Sequence, residues 1–292
     1  MINAFTIDLE EWFCSHNLQA VVRPNDWEQL PPRASVVTHR LLDLLDKHQV
    51  KATFFVLGWL ADRYPELVQQ VQAAGHEIAS HGYAHLLTGQ HTKDSFGADL
   101  KKANRAIEAC TGARPAKFRA PAFSITQKTL WATDILLDNA FEVDSSVFPL
   151  SWHPEYGIPE AKLEPFYHPN GLLEIPMSVL DVFGKRLPVS GGAYFRLLPY
   201  PVYAKLIRQL HKQGRPLVFY LHPWEMDPQM PILPGLSASA RFRHYTNLNT
   251  VARKLEKLLT DFEFTTLEDV FPKEVKRAVS FQGYVSQYID KQ

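Results

Sequence analysis

The sequence predicts an α/β protein in which parallel strands alternate with covering helices. Short apolar runs recur between longer amphipathic ones, which is the pattern of strand–helix units. The amphipathic runs open and close with residues suited to helix ends. The chain has 292 residues and 46% apolar content, enough for one large core.

Taken in order, AFTI (4–7) reads as the first strand, and SVVTHRLLDLLDKHQ (35–49) sets Val36, Leu41, Leu44 and Leu45 at near-helical spacing. ATFFVLG (52–58) is the second strand. PELVQQVQAAG (65–75) begins with Pro and ends with Gly, as helices favour, and HEIAS (76–80) is the third strand. Helices over 94–110 and 126–139 flank a short strand, KFRA (117–120). LLEIP (172–176) and PLVFYLH (216–222) follow, then a helix over 246–262 and a closing strand in FEFTTL. Six or seven such units suit either a barrel or a doubly wound sheet.

Between Phe148 and Pro201 the chain is dense in Pro, Gly and aromatics, and reads as long loops over the scaffold. Loops of that length in a compact domain are often functional. The expected organisation is one domain, 1–292, with a loop-rich C-terminal extension from about residue 148, and FQGYVSQYIDKQ as a loosely held tail.

Lys plus Arg equals Asp plus Glu at 31 each, so no basic surface recommends nucleic acid or an anionic membrane as partner. A neutral substrate fits better. No apolar run approaches the roughly 18 residues of a membrane span, and the first residues lack the order of a signal peptide. The expected compartment is therefore the cytoplasm, extending to the inner face of the membrane, with Cys14 and Cys110 as free thiols.

Four features carry candidate chemistry. Asp8, Glu10 and Glu11 follow the first strand in TIDLEE. SHGYAH places His81 and His85 four apart behind the third; the pair suits one divalent ion completed by a carboxylate, or is two surface loop histidines. Arg119 ends KFRA before Pro121, where it either fixes a buried carboxylate or is a surface arginine. His222 ends PLVFYLH, as a catalytic group or a core histidine. All four sit at or just past strand ends, and parallel strands gather those ends on one face. Their convergence is more informative than any one of them.

These residues resemble the NodB-type polysaccharide deacetylases, carbohydrate esterase family four. TIDLEE, SHGYAH, RAPAF, FEVDSSVFP and LVFYLHP stand in the order of that family's five motifs, over about residues 4–222. DLEEWF, DSSVFP, HPEYGIP, SGGAYFRLLPY, LHPWE and RHYTNL further resemble the subgroup encoded beside exopolysaccharide and exosortase loci. The resemblance implies a distorted (β/α) barrel and a hydrolase that removes N-acetyl groups from N-acetylhexosamine units of an exopolysaccharide or its precursor.

By the same resemblance Asp8 is the general base, Arg119 orients it, and His222 is the general acid, with Asp144 either its partner or a turn-capping Asp before two serines. His81 and His85 would hold one divalent ion, zinc, and the backbone N–H of Ala122 would meet the oxyanion. The family's adjacent second aspartate is replaced by Leu9, so Glu10 becomes the third ligand, with Glu11 in reserve. Asp8 and Glu10 lie two apart and share a strand face, with Leu9 on the other. Trp152, Tyr194 and Trp224 are candidates for stacking on sugar. Two other readings keep the same scaffold: a metal-free amidohydrolase, motivated by Leu9, and a non-catalytic glycan-binding module, motivated by the aromatic second half. Sugar identity, linkage and oligomeric state have no signal in the sequence.

Overall fold

The computed structural model describes residues 1–151 and 156–278. Eleven strands occur among them: β1 Asn3–Leu9, β2 Thr53–Val56, β3 Glu77–Ser80, β4 Lys117–Phe118, β5 Val143–Asp144, β6 Phe166–Tyr167, β7 Leu173–Glu174, β8 Val179–Val182, β9 Lys185–Pro188, β10 Val218–Leu221 and β11 Phe264–Thr265. The main sheet runs β10-β1-β2-β3-β4-β5-β7-β6, with β11 also on β1. Its pairings are parallel except β6 with β7. It curls into a half-barrel, the distorted (β/α) barrel expected, rather than a flat doubly wound sheet.

The two-residue period of β1 shows how the layers form. Phe5, Ile7 and Leu9 pack outward with Leu41, Leu45, Val68 and Leu255 of the covering helices. Ala4 faces the other way, into a cluster with Phe55, Ala79, Val143 and Tyr220. Thr6 and Asp8 share its side by periodicity. Along β10, Tyr220 N–H donates to Ser190 O (2.7 Å) and Val218 N–H to Ser178 Oγ (2.8 Å). The segment carrying β8 and β9 therefore covers an edge that would otherwise offer bare backbone groups.

The strands predicted from residues 4, 52, 76, 117, 172 and 216 onward all form, the shorter ones as two-residue pieces. Helix Ala34–Lys47 buries Val37, Leu41 and Leu45, whereas Val36 is exposed. Helix Lys93–Thr111 is capped by Thr92, whose side chain accepts from Ser95 N–H, and stops at Gly112 in the left-handed region. The segment expected as one helix over 126–139 breaks into a short turn, Gln127–Thr129, and a helix, Ala132–Asp138.

Residues 148–201 are more ordered than a loop reading allows. They hold β7, where LLEIP predicts a strand, together with β6, the β8–β9 hairpin and helix Gly192–Leu197, which are too short to register among Pro and Gly. Strand β5 and helices Gly58–Arg63 and Ala238–Tyr245 also went unpredicted, for the same reason of length. Trp152 and the C-terminal FQGYVSQYIDKQ lie outside the described residues. Cys14 and Cys110 are free and buried. Among the described residues no helix is long and apolar enough to cross a membrane.

Candidate active site

The parallel sheet brings the C-terminal ends of β1, β3, β4 and β10 together at one mouth. Asp8 and Glu10 come from the end of β1, His81 and His85 from the loop after β3, Arg119 and Ala122 from the turn after β4, and His222 from the end of β10. A cavity of about 140 Å³ opens there, lined among others by Asp8, Glu10, His85, Ala122, Tyr156 and His222. His85, Ala122 and Phe123 hold φ near +50°, a region non-glycine residues rarely adopt, so the surrounding packing must impose it.

Arg119 is fully buried and every arm is used. Its Nη1 donates to Asp8 Oδ1 (2.9 Å) and Thr6 Oγ1 (2.7 Å), Nε to Ser145 O (3.0 Å) and Nη2 to Ser145 Oγ (3.1 Å). Its guanidinium carbon lies 4.0 Å from the centre of the Phe55 ring. A carboxylate gripped on one oxygen by so fixed a cation is held in one orientation. The other oxygen, Oδ2, lies 3.9 Å from His222 Nε2.

Glu10, His81 and His85 form the second group. One ligating atom from each lies within 4.8 Å of the other two. His81 Nδ1 meets the carbonyl of Arg119 at 2.8 Å, so its N–H points there and Nε2 carries the lone pair. That Nε2 is buried without a hydrogen-bond partner. His85 Nε2 approaches Glu10 Oε2 to 2.8 Å, yet Oε2 has no hydrogen bond of acceptable geometry. A carboxylate oxygen and two imidazole nitrogens converging within that distance, one of them unpartnered, are a donor set that suits a divalent ion. The residues fit the expected metal.

Burial drives the Glu10 carboxyl up, but the rings of His85, His222 and His81 outweigh it and hold it down at about 2. Burial pushes the His81 imidazole down to about 4, which keeps it neutral as a ligand must be. Leu9 turns into the outer core and Glu10 toward the cavity, as the strand alternation predicts. The reserve ligand, Glu11, does different work. Its carboxylate accepts from Arg33 N–H (2.9 Å) and Ala34 N–H (2.9 Å), the open donors at the start of helix Ala34–Lys47. Gly82 sits between the histidines at φ +72°, where an added Cβ would come 3.1 Å from Asp99 Oδ2. That carboxylate fixes the loop by accepting from Tyr83 N–H (2.8 Å) and, through Oδ1, Ala84 N–H (3.2 Å).

His222 is held from its other side by Glu225, not by Asp144. Its Nδ1 meets Glu225 Oε1 at 2.9 Å, and Arg196 Nε donates to Glu225 Oε2 at 2.6 Å. Burial pushes the His222 imidazole down, but the bond to Glu225 and the charges of Glu10, Glu225 and Asp8 bring it up to about 9. Asp144 instead bonds Ser146 and stands with His168 and Glu174 in a separate buried group. It points there because Asp144 ends β5, whose neighbour in the sheet is β7 with Glu174 directly opposite.

The aromatic expectations change as well. Trp224 is 4% exposed and closed in between His222 and His244, with ring centroids 4.9 and 4.5 Å away. Its Nε1–H donates to Glu10 Oε1 (3.0 Å), so it orients a ligand and offers no face to a sugar. Tyr194 is not among the residues lining the cavity; its hydroxyl meets that of Tyr156 at 3.1 Å, and Tyr156 is. A larger open hollow of about 570 Å³, lined by Trp131, Gln127, His91 and Tyr156 among others, holds none of the acids.

Sequence reasoning missed Thr6, Ser145, Arg196, Trp224's role and Glu225. Only Glu225 left a signal: it stands three residues after His222 at a strand end, a spacing that can fold back on the same turn. Arg196 is 29 residues from its partner, and no local pattern links them.

The fold and the site together define an α/β half-barrel protein with a carboxylate–histidine centre at the strand mouth. A family model described as "Polysaccharide deacetylase" matches residues 27–136, and one described as "Domain of unknown function (DUF3473)" matches 145–272. The chain is 33% identical over 116 residues to a peptidoglycan-N-acetylglucosamine deacetylase of Bacillus cereus, covering 39% of this chain and 41% of that one. It is 35% identical over 122 residues to a chitooligosaccharide deacetylase of Sinorhizobium fredii, covering 40% and 54%. The chain thus spans about half the length of the curated relatives it matches. A solved Mycobacterium smegmatis structure, a candidate polysaccharide deacetylase, shares the fold at TM-score 0.63 and 18% identity over 94% of this chain and 90% of that one. Residues 27–136 thus match a polysaccharide deacetylase domain of the NodB type, carbohydrate esterase family four, and the whole chain shares that fold.

Proposed function

We propose that the chain hydrolyses the N-acetyl amide of N-acetylhexosamine units in a glycan, with Glu10, His81 and His85 holding one divalent ion, zinc. The observation that carries this is the convergence of one ligating atom from each of those residues, the unpartnered His81 Nε2 among them, beside a carboxylate locked by Arg119. When bound, the ion would supply Lewis acidity at an open coordination position.

The remaining roles belong to the chain's own groups. Asp8, oriented through Oδ1, uses Oδ2 to take a proton from the attacking water. The left-handed turn at Ala122 lines the cavity where an oxyanion would form, so its N–H is the backbone donor assigned to it. His222, kept cationic by Glu225, gives its proton to the leaving amine. The 140 Å³ cavity suits the acetamido group, and the hollow that shares Tyr156 gives room for adjoining sugar units. The resemblance to the exopolysaccharide-locus subgroup favours a bacterial exopolysaccharide or its precursor as that glycan. Leu9, which motivated a metal-free reading, is a core residue, and Glu10 occupies the ligand side in its place.

The test is acetate release from N-acetylglucosamine oligomers and from de-acetylated controls. Release that stops with chelator, returns with zinc and is absent in His81→Ala is the expected result. Activity indifferent to chelator would move the reading to the metal-free amidohydrolase, and saturable glycan binding with no acetate would move it to a binding module.

A further inference from the structure

A second carboxylate–histidine group lies in the wall of the barrel, apart from the cavity. Asp144 ends β5, Glu174 ends β7 and His168 follows β6. All three are more than nine-tenths buried, and none lines the active-site cavity. One ligating atom from each lies within 4.8 Å of the others.

Their hydrogen bonds leave a specific remainder. Glu174 Oε1 accepts from Val147 N–H (2.9 Å), and Asp144 Oδ1 accepts from the Ser146 hydroxyl. That leaves one inward oxygen on each carboxylate. Asp144 Oδ2 is buried with no hydrogen bond of acceptable geometry, and its carboxyl faces that of Glu174 across the β5–β7 pair. Glu174 Oε2 lies 3.5 Å from His168 Nε2, long for an N–H···O bond. It is close to the edge of a tetrahedron, about 3.3 Å, whose centre is 2.0–2.1 Å from each ligand, as around zinc. Phe166 sets the His168 ring edge-on at a centroid distance of 5.2 Å.

Two facing carboxylates without a cation are costly inside a protein. Positive charge must enter between them, as a shared proton or as a metal. A shared proton would satisfy the two acids and leave His168 Nε2 only its long contact with Glu174 Oε2, whereas a cation would engage all three residues.

We propose that Asp144, His168 and Glu174 bind a second divalent cation, of the zinc type, in a structural and non-catalytic site. The site ties β5, β6 and β7 together immediately beside Ser145, which holds Arg119, and Ser146, whose Oγ accepts from Ala120 N–H (2.7 Å). It thereby braces the outer end of the arginine that orients Asp8 and the turn that carries Ala122.

The full chain, purified and dialysed with zinc, should contain two equivalents of zinc. His168→Ala and His85→Ala should each retain one, from different sites. Crystals of the unaltered chain, grown with excess zinc and measured at the zinc absorption edge, should show an anomalous peak among Asp144, His168 and Glu174. That measurement does not depend on any variant folding. Absence of this peak overturns the proposal in favour of a shared proton, whatever is found at Glu10; a peak here with none at Glu10 would instead overturn the catalytic-metal reading alone.

Discussion

The two ends of the barrel bury polar side chains equally well and to opposite effect. At the base, where the strands begin, Lys117 Nζ bridges Glu77 and Glu268, and Thr53 Oγ1 donates to Glu77 while accepting from Leu267 N–H (2.8 Å). Asn3 Oδ1 accepts from Leu217 N–H (2.9 Å), and its Nδ2 donates to Glu263 O (3.0 Å). None of these base groups is left with an orphaned atom among the described residues. At the mouth, Glu10 Oε2, His81 Nε2 and His85 Nδ1 are buried and unpaired beside a cavity. Burial of charge therefore does not mark the site; unsatisfied charge at the C-terminal face does.

The largest effect expected at the mouth is that of Asp8→Asn. Asparagine can still accept from Arg119, so packing and metal content should hold while the proton acceptor is lost. Turnover per folded chain should fall by about 10³-fold, within the usual range for a general base, and thermal stability should fall as well because the buried Arg119 loses its countercharge. Metal analysis beside kcat checks it, and loss of metal together with rate would make Asp8 a ligand instead.

Glu225→Gln tests the acid side. The amide oxygen can still accept from His222 Nδ1–H, but the charge that favours the imidazolium is gone and Arg196 loses its partner. The rate on an acetamide should drop about 10²-fold. An activated aryl ester, whose leaving group needs no proton, should be spared, and an equal loss on both substrates would show a merely structural role.

At the base the same kind of change should move stability and not chemistry. Lys117→Ala leaves Glu77 facing a half-exposed Glu268 without the cation between them. Removing one member of a buried ion pair costs about 3–5 kcal/mol, reduced here to about 2–3 because Glu268 reaches solvent. Urea unfolding measures the loss, while kcat per folded chain should stay within about twofold. A catalytic defect would erase the distinction between the two ends.

How much of this was legible follows from the range of the forces involved. The base side of the site is written locally: Asp8 and Glu10 two apart on a strand, His81 and His85 four apart in one loop, Arg119 at a strand end. The acid side is not, because Glu225 and Arg196 meet only after helix Gly192–Leu197 is packed against the end of β10. Asp144 misled because its motif position suggested a partner for His222, whereas the register of β5 on β7 sets it opposite Glu174. Glu11 misled because a helix start needs a carboxylate as much as a metal does, and sequence alone does not tell where Arg33 and Ala34 will sit. The strands of the first half were visible in their apolar runs. In the second half β7, β10 and β11 were visible in the same way, whereas β6, β8 and β9, two to four residues long among prolines and glycines, had too little sequence to show a period.

His76 offers the finest test of the base, since it is built to remain neutral. Its Nδ1 accepts from Ala52 N–H (3.1 Å) at the entry to β2, and its ring packs on Phe54 at a centroid distance of 5.0 Å. Burial, helped by the charge of Lys51 and opposed by that of Asp46, brings the imidazole down to about 4. The unfolded chain then binds more protons than the folded one between that value and about 6.5. The contribution of His76 is therefore fully present above about 6.5 and is lost as pH falls through 4, by up to about 3 kcal/mol at 1.36 kcal/mol per unit. In His76→Gln the amide oxygen can accept the same N–H without titrating. Between pH 7 and 4.5 the unaltered chain should lose about 2 kcal/mol more unfolding free energy than the variant. Parallel losses in the two proteins would mean that acid acts through the unpaired groups of the mouth, and that the base is not where this fold senses pH.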